Sequence, residues 1–243
     1  MIFGRKDRTD PVAVEEPDEA VDAGDLEDED ADLDDESDDA AAADLDEGDE
    51  ELDDLGVRAD GPFDHDEVDL DADDVERIAF GPLIITPFEG LNIQLTGEED
   101  SGTIFALVAL WENSALELAL FAAPTSGGLA DELREDSVEE AEQGGGNAQV
   151  ADGPFGPEVR RVLPLEGPEG EQLFHVSRIW LVEGPRWLLR GTLMGPAAMS
   201  EGEEPPAEAF VEFFRNTVVR RDDSPRVPGE LITLALPETP PGA

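Results

Sequence analysis

The sequence predicts an α+β fold: a mostly antiparallel sheet of about 7–8 strands with two helices, preceded by an acidic tail. Three observations carry this. The stretch FHVSRIWLVEGPRWLLRGTLM, residues 174–194, reads as two apolar strands around a turn at Glu183-Gly184-Pro185-Arg186. A hairpin so apolar needs sheet neighbours, so it belongs at the centre. Helical spacing is confined to two later stretches, and 35 of the 63 acids fall before residue 77. Strands in hairpins with helices segregated between them give α+β by the layer rules.

The first stretch is a different polymer from the rest. Residues 1–76 hold 35 acids and 4 bases, without Trp or Tyr, and their apolar residues are mostly Ala and isolated Leu or Val. Such a segment cannot bury enough surface to offset its ordering entropy. The expected organisation is a disordered acidic tail over residues 1–74, one globular domain over 75–237 and a short disordered C-terminal tail over 238–243. The tip Met1-Ile-Phe-Gly-Arg-Lys-Asp-Arg8 is basic and apolar, and reads as an ordinary terminus in preference to a docking motif.

In chain order, Gly81–Phe88 and Leu91–Thr96 read as short strands around Glu89-Gly90. In the second, Leu91, Ile93 and Leu95 share a face, as in a half-buried strand. Thr103–Trp111 and Ala115–Phe121 form an almost continuous apolar hairpin around Glu112-Asn113-Ser114, the pattern of central strands covered on both sides. A surface helix follows over Leu129–Gln143, with Ser126 in its N-cap region and Gly144-Gly145-Gly146 ending it. Gln149–Ala151 and Glu158–Leu163 are the next strands, followed by the central hairpin. A second helix is expected over Ala207–Arg220, where Phe210, Phe213, Phe214, Thr217 and Val218 have the spacing of a core-facing stripe. Leu231–Leu236 closes the fold. Phe121-Ala-Ala-Pro and Gly195-Pro-Ala-Ala occupy similar places in the two halves, which leaves a duplicated ββαβ unit as a reading to test.

Composition excludes several function classes. The absence of cysteine removes disulfides, thiolate catalysis and Cys-ligated metals. The N-terminus has no apolar signal region, and no apolar run reaches the roughly 20 residues of a membrane span, so a cytoplasmic protein is expected. Residues 77–243 carry 28 acids against 11 bases, an unsuitable surface for nucleic-acid phosphates. One lysine against fourteen arginines points to coding bias in a GC-rich genome, with salt adaptation as the rival.

No catalytic residues, metal ligands or cofactors are assigned from the sequence. Only His65 and His175 are available as bases, and neither has a histidine partner at metal-ligand spacing. Asp69-Leu-Asp71-Ala-Asp73 begins like a calcium loop but has Asp74 and Phe80 where Gly and Glu are required. Gly144-Gly-Gly lacks the Lys-Ser/Thr of a phosphate loop. The remaining candidates are arginines within strands. Period-two geometry puts Arg178 beside Trp180 and Arg186 on the side of Arg190, a ligand- or partner-binding face of guanidinium and aromatic groups. The competing structural reading pairs these arginines with the domain's many acids.

Five blocks then carry a resemblance: Gly61-Pro-Phe-Asp, Phe121-Ala-Ala-Pro-Thr-Ser-Gly-Gly-Leu before Glu132-Leu-Arg134, Asp152-Gly-Pro-Phe-Gly, Gly184-Pro-Arg-Trp-Leu-Leu-Arg-Gly191, and Gly195-Pro-Ala-Ala198. With them, residues 61–237 resemble an uncharacterised actinobacterial family, domain of unknown function 3710. The resemblance implies a GC-rich Gram-positive source and supplies no activity or site residue. At fold level the element order is similar to small PsbP-like sandwiches. The expected function is a non-catalytic protein-interaction or adaptor module with a basic protein partner. The alternative is a domain or enzyme holding an anionic small molecule in an arginine-lined pocket.

Overall fold

Twelve strands and two α-helices make up residues 58–237, the part of the chain that the computed structural model describes. In chain order they begin β1 (Phe63–Asp64), β2 (Ile78–Phe80), β3 (Leu83–Ile85), β4 (Asn92–Glu98), β5 (Thr103–Trp111) and β6 (Ser114–Ala122). Then come α1 (Leu129–Gln143), β7 (Asn147–Gly153), β8 (Gly156–Glu166), β9 (Gln172–Gly184), β10 (Trp187–Met194), α2 (Glu208–Arg215), β11 (Val218–Val219) and β12 (Leu231–Ile232). The acidic tail up to residue 57 and the tail over 238–243 lie outside the described residues.

The main sheet runs β4-β5-β6-β10-β9-β8-β7, with β12 against β6, and all its pairings are antiparallel. It is therefore an eight-stranded sheet of two meanders joined where β6 pairs with β10. The hairpin expected at the centre stands there. Trp180 lies opposite Gly191, and Leu189 opposite Val182, on one face. Ile179, Leu181 and Leu188 point to the other. Each face is covered by one helix, giving three layers over the middle of the sheet. Helix α2 packs Phe210, Phe213 and Phe214 on the first face with Leu107, Leu118 and Trp180. Helix α1 packs Leu129, Leu133 and Val138 on the second. Burying each such phenylalanine contributes about 1.5–3 kcal/mol.

Gly191 makes the first of these contacts possible. A Cβ there would stand 2.7 Å from the Phe214 ring. Without one, Phe214 settles against Trp180 and Phe155 at ring-centroid distances of 5.3 and 4.6 Å.

A smaller sheet of order β1-β11-β3-β2 lies at the side of the large core, and its members Phe80, Leu83, Ile85 and Val219 join that core. This sheet corrects two expectations. The second helix ends at Arg215 and not Arg220: the side chain of Asn216 bonds back to the Glu212 carbonyl, and the β-branched Thr217-Val218-Val219 goes extended to pair with β1 and β3. Arg220 and Arg221 therefore follow a strand and do not cap a helix. Residues 58–74, assigned to the tail from their acidity, contain β1 and a 3-10 turn at His65–Glu67. Residues 58–74 therefore belong with the folded domain.

The first helix spans the expected residues but is capped differently. Its N-cap is Gly128, with no side-chain cap of its own. Instead the carboxylate of Glu183, at the end of β9, accepts hydrogen bonds from the N–H groups of Gly128, Leu129 and Ala130 at 3.0, 2.7 and 3.2 Å. A negative charge on three orphan donors at the positive end of a helix is favourable. Glu183→Ala is expected to cost about 1–2 kcal/mol in denaturant unfolding, whereas Ser126→Ala should be neutral.

The two-halves reading survives only in part. The strand order mirrors about the β6–β10 junction, and antiparallel neighbours can be exchanged by an axis perpendicular to the sheet. Such an axis keeps both helices on one face. Here α1 and α2 lie on opposite faces, so the helices do not share in any duplication.

Candidate functional site

The four side chains singled out from the sequence separate into two environments. Arg178 and Trp180 share a face of β9 as expected, but that face is the core, and they are 0 % and 1 % exposed. Both point at Glu158, itself 1 % exposed. Arg178 Nε and Nη2 donate to its carboxylate at 2.9 Å, Trp180 Nε1 at 2.7 Å and Arg160 Nε at 2.7 Å. The remaining Arg178 nitrogen, Nη1, donates to the carbonyls of Ser200 and Gly202 at 3.0 and 2.8 Å. Every member is satisfied, so the cluster is a structural clamp between β8, β9 and the loop that leads to α2.

Arg190 faces the other side of the sheet, half-buried. Its guanidinium lies 5.1 Å above the Phe121 ring and 3.6 Å from Glu117. Arg161, on the same side, donates to Ser177, and burial first and Arg190 among its neighbours lower its pKa below the ordinary arginine value. Arg186 stands at the turn between β9 and β10 with φ of 61°, a left-handed conformation that favours glycine, and its side chain lies 3.4 Å from Asp223. The arginines are thus not one binding face. His175 pairs with Leu163 inside the β8–β9 hairpin, His65 lies in the 3-10 turn, and Asp73 is committed to Arg77 through two bonds of 2.8 and 2.9 Å. Among the described residues, no three His, Asp or Glu side chains converge as a cation site.

A more accessible feature lies at the outer edge of α2. There the segment after β3, the end of β5 and the loop before α2 enclose a groove of about 440 Å³. Its floor and walls are Phe88, Trp111, Phe213 and the pair Pro205-Pro206. Phe88 is the centre of an aromatic cluster, edge-on to Trp111 at 5.9 Å and to Phe213 at 6.2 Å. Phe213 is fully buried, but Trp111 is 37 % exposed at the end of a strand whose other core-facing residues are covered. Glu208 and Glu212 stand along the rim, one turn apart on α2, and Glu89 and Glu112 follow Phe88 and Trp111 in the chain. Arg215 offsets part of this charge, at 3.7 Å from Glu212. The indole N–H of Trp111 has no acceptor among the described residues. The result is an apolar slot with the Trp111 indole N–H and the Thr86 hydroxyl in its lining and an acidic margin.

Sequence reading missed this site because its residues come from three separated segments. The two signals available were an exposed-side tryptophan closing β5 and the Pro205-Pro206 pair just before a helix.

Compared with known proteins, residues 61–241 match a family model described as "Protein of unknown function (DUF3710)". No curated protein matches the chain. Among solved structures, it is similar to the solution structure of cyanobacterial PsbP (CyanoP) from Synechocystis sp. PCC 6803. That match has 12 % identity and a TM-score of 0.33, and covers 63 % of this chain and 97 % of that one.

Proposed function

The chain belongs to the DUF3710 family, and from its site we propose a non-catalytic protein-interaction module that uses the groove beside α2. The observation that supports this best is the exposed Trp111 held edge-on by Phe88 in a slot with a glutamate rim. Aromatic-lined grooves take extended, proline-containing segments because such segments are already ordered and lose little entropy on docking. An indole N–H donates to a backbone carbonyl of the segment, which an extended chain leaves free. The acidic rim selects lysine or arginine beside the apolar anchor and speeds encounter with a basic partner. The occupant is therefore an extended, basic, proline-containing segment of a partner protein. A GC-rich Gram-positive source and a cytoplasmic site of action belong to the same reading, supported by fourteen arginines against one lysine.

Peptide selection tests it. A random-peptide library displayed on phage is panned against the full chain and against Trp111→Ala. The full chain should enrich sequences that combine proline with Lys/Arg, and a synthetic peptide of the enriched sequence should bind Trp111→Ala at least tenfold more weakly. Because Trp111 is partly exposed, the variant should melt within a few degrees of the parent. Equal enrichment by both proteins, or enrichment of acidic sequences, sinks the proposal.

A further inference from the structure

A second cavity, distinct from the groove, collects positive charge in a chain of net charge −48. It measures about 490 Å³ and lies between the β2–β3 turn at Gly81-Pro82, the segment Arg220–Arg226 that follows β11, and Thr233 just past β12. Of the eleven arginines in residues 77–243, Arg220, Arg221 and Arg226 line it. They are placed by the short strand that replaced the expected end of α2. The Arg220 N–H bonds to the Pro82 carbonyl at 2.8 Å, and this fixes the chain across the β2–β3 turn.

These guanidinium groups are poorly matched by their own protein. Arg221 uses Nη2 on the Ser224 carbonyl at 3.3 Å, while its Nε and Nη1 are buried with no acceptor among the described residues. Arg226 reaches Asp222 and Glu230 only at 3.5 and 3.4 Å, and its Nε is likewise buried without a partner among the described residues. Buried donors are costly unless something accepts from them. The charged groups around Arg221 are Arg186, Asp222, Arg226 and Glu230, with Asp223 held by Arg186. Burial first, and the like charge of Arg186 next, lower the pKa of Arg221 below the ordinary arginine value, against the pull of Asp222 and Glu230. Arg186 contributes from a turn position whose φ of 61° would suit glycine better.

We propose that this cavity binds a phosphate-bearing small molecule, with Arg221 and Arg226 donating to the phosphoryl oxygens, Arg220 beside them, and Asp222 the one carboxylate in the lining. A carboxylate offers two oxygens in one plane, whereas a phosphoryl group offers three oxygens spread over a tetrahedron. Two guanidinium groups of one segment, with Thr233 of another also lining the cavity, suit a tetrahedral group better. The volume accommodates a ligand larger than the phosphate itself. The site does not depend on the peptide groove.

Pyrophosphate is the probe, titrated into the full chain at fixed ionic strength by calorimetry and thermal unfolding. The parent protein should bind with heat and gain several degrees in Tm at about 10 mM ligand. Arg221→Gln with Arg226→Gln should weaken binding at least tenfold, yet melt no lower than the parent without ligand, because repulsion and unsatisfied donors are removed. Arg186→Gly, which relieves the turn, should melt higher and bind several-fold more weakly; it serves if the double variant does not fold. Trp111→Ala should bind pyrophosphate normally. No binding by the parent, or undiminished binding by the arginine variants, overturns the site. Malonate binding as tight as pyrophosphate overturns the phosphate assignment.

Discussion

Arg178→Met is expected to lower the unfolding free energy by about 3–5 kcal/mol, because it leaves the Glu158 carboxylate buried with fewer donors than a charge needs. In a domain of this size that is a fall in Tm of roughly 10 °C or more. The expectation rests on burial: Glu158 and Arg178 are essentially inaccessible, so water cannot replace the lost bonds. Replacing both partners, Arg178→Met with Glu158→Leu, removes the stranded charge and should recover part of the loss. Recovery is incomplete because the Trp180 and Arg160 donors lose their shared acceptor. Denaturant unfolding of the single and double variants measures this coupling. A single-variant cost below about 1 kcal/mol would show that the pair is worth no more than an exposed one.

The same substitution should reach the groove. Arg178 Nη1 holds the carbonyls of Ser200 and Gly202, and the chain then runs through Pro205-Pro206 into α2. Once that loop is released, the proline wall and Glu208 lose their fixed position against Trp111. Peptide affinity should therefore fall with stability in Arg178→Met, whereas in Trp111→Ala affinity falls alone. The two variants separate support of the groove from contact within it.

How much of this was legible in the sequence depends on the range of the forces involved. The two meanders follow from local alternation and turn residues, so β4 to β6 and β8 to β10 stand close to where their patterns place them. Helix α1 is bounded by Gly128 and Gly144, which are local signals as well. Glu183 as its cap was not legible, since the carboxylate comes from 53 to 55 residues away. The overlong second helix shows the opposite failure. Thr217 and Val218 fit the helical stripe, but pairing of β11 with β1 and β3 outweighed that periodicity. At the site level, alternation correctly put Arg178 beside Trp180. It could not show that the face they share is the core, because Glu158 is the acid that makes a buried arginine tolerable.

Deleting residues 1–74 should destabilise the domain by about 2–5 kcal/mol, whereas deleting residues 1–57 removes none of the contacts responsible. Acidic composition hides the reason. Asp64 is 8 % exposed and accepts a hydrogen bond of 2.6 Å from Nε1 of Trp187, a residue fully buried at the start of β10. Arg58 lies over that indole at 5.6 Å and forms a two-bond pair with Glu67, at 2.6 and 2.7 Å. Glu67 also accepts from the Asp64 N–H, closing a capping box around the 3-10 turn. The longer deletion uncovers Trp187, strands its N–H and takes β1 from the edge of β11. Acid acts on the same contact. Burial pulls the Glu67 pKa up, but the hydrogen bonds from Arg58 and the Asp64 N–H outweigh it and leave the group below its ordinary value. A depressed folded value means stability that is present above the ordinary pKa and is lost as pH falls through the lower one. Arg58→Ala should remove that acid-sensitive part, so the gap in Tm between parent and variant should narrow as pH falls through the lowered Glu67 value, leaving the loss of Arg58 packing over Trp187. Indistinguishable unfolding curves for the two deletions at neutral pH would return residues 58–74 to the tail.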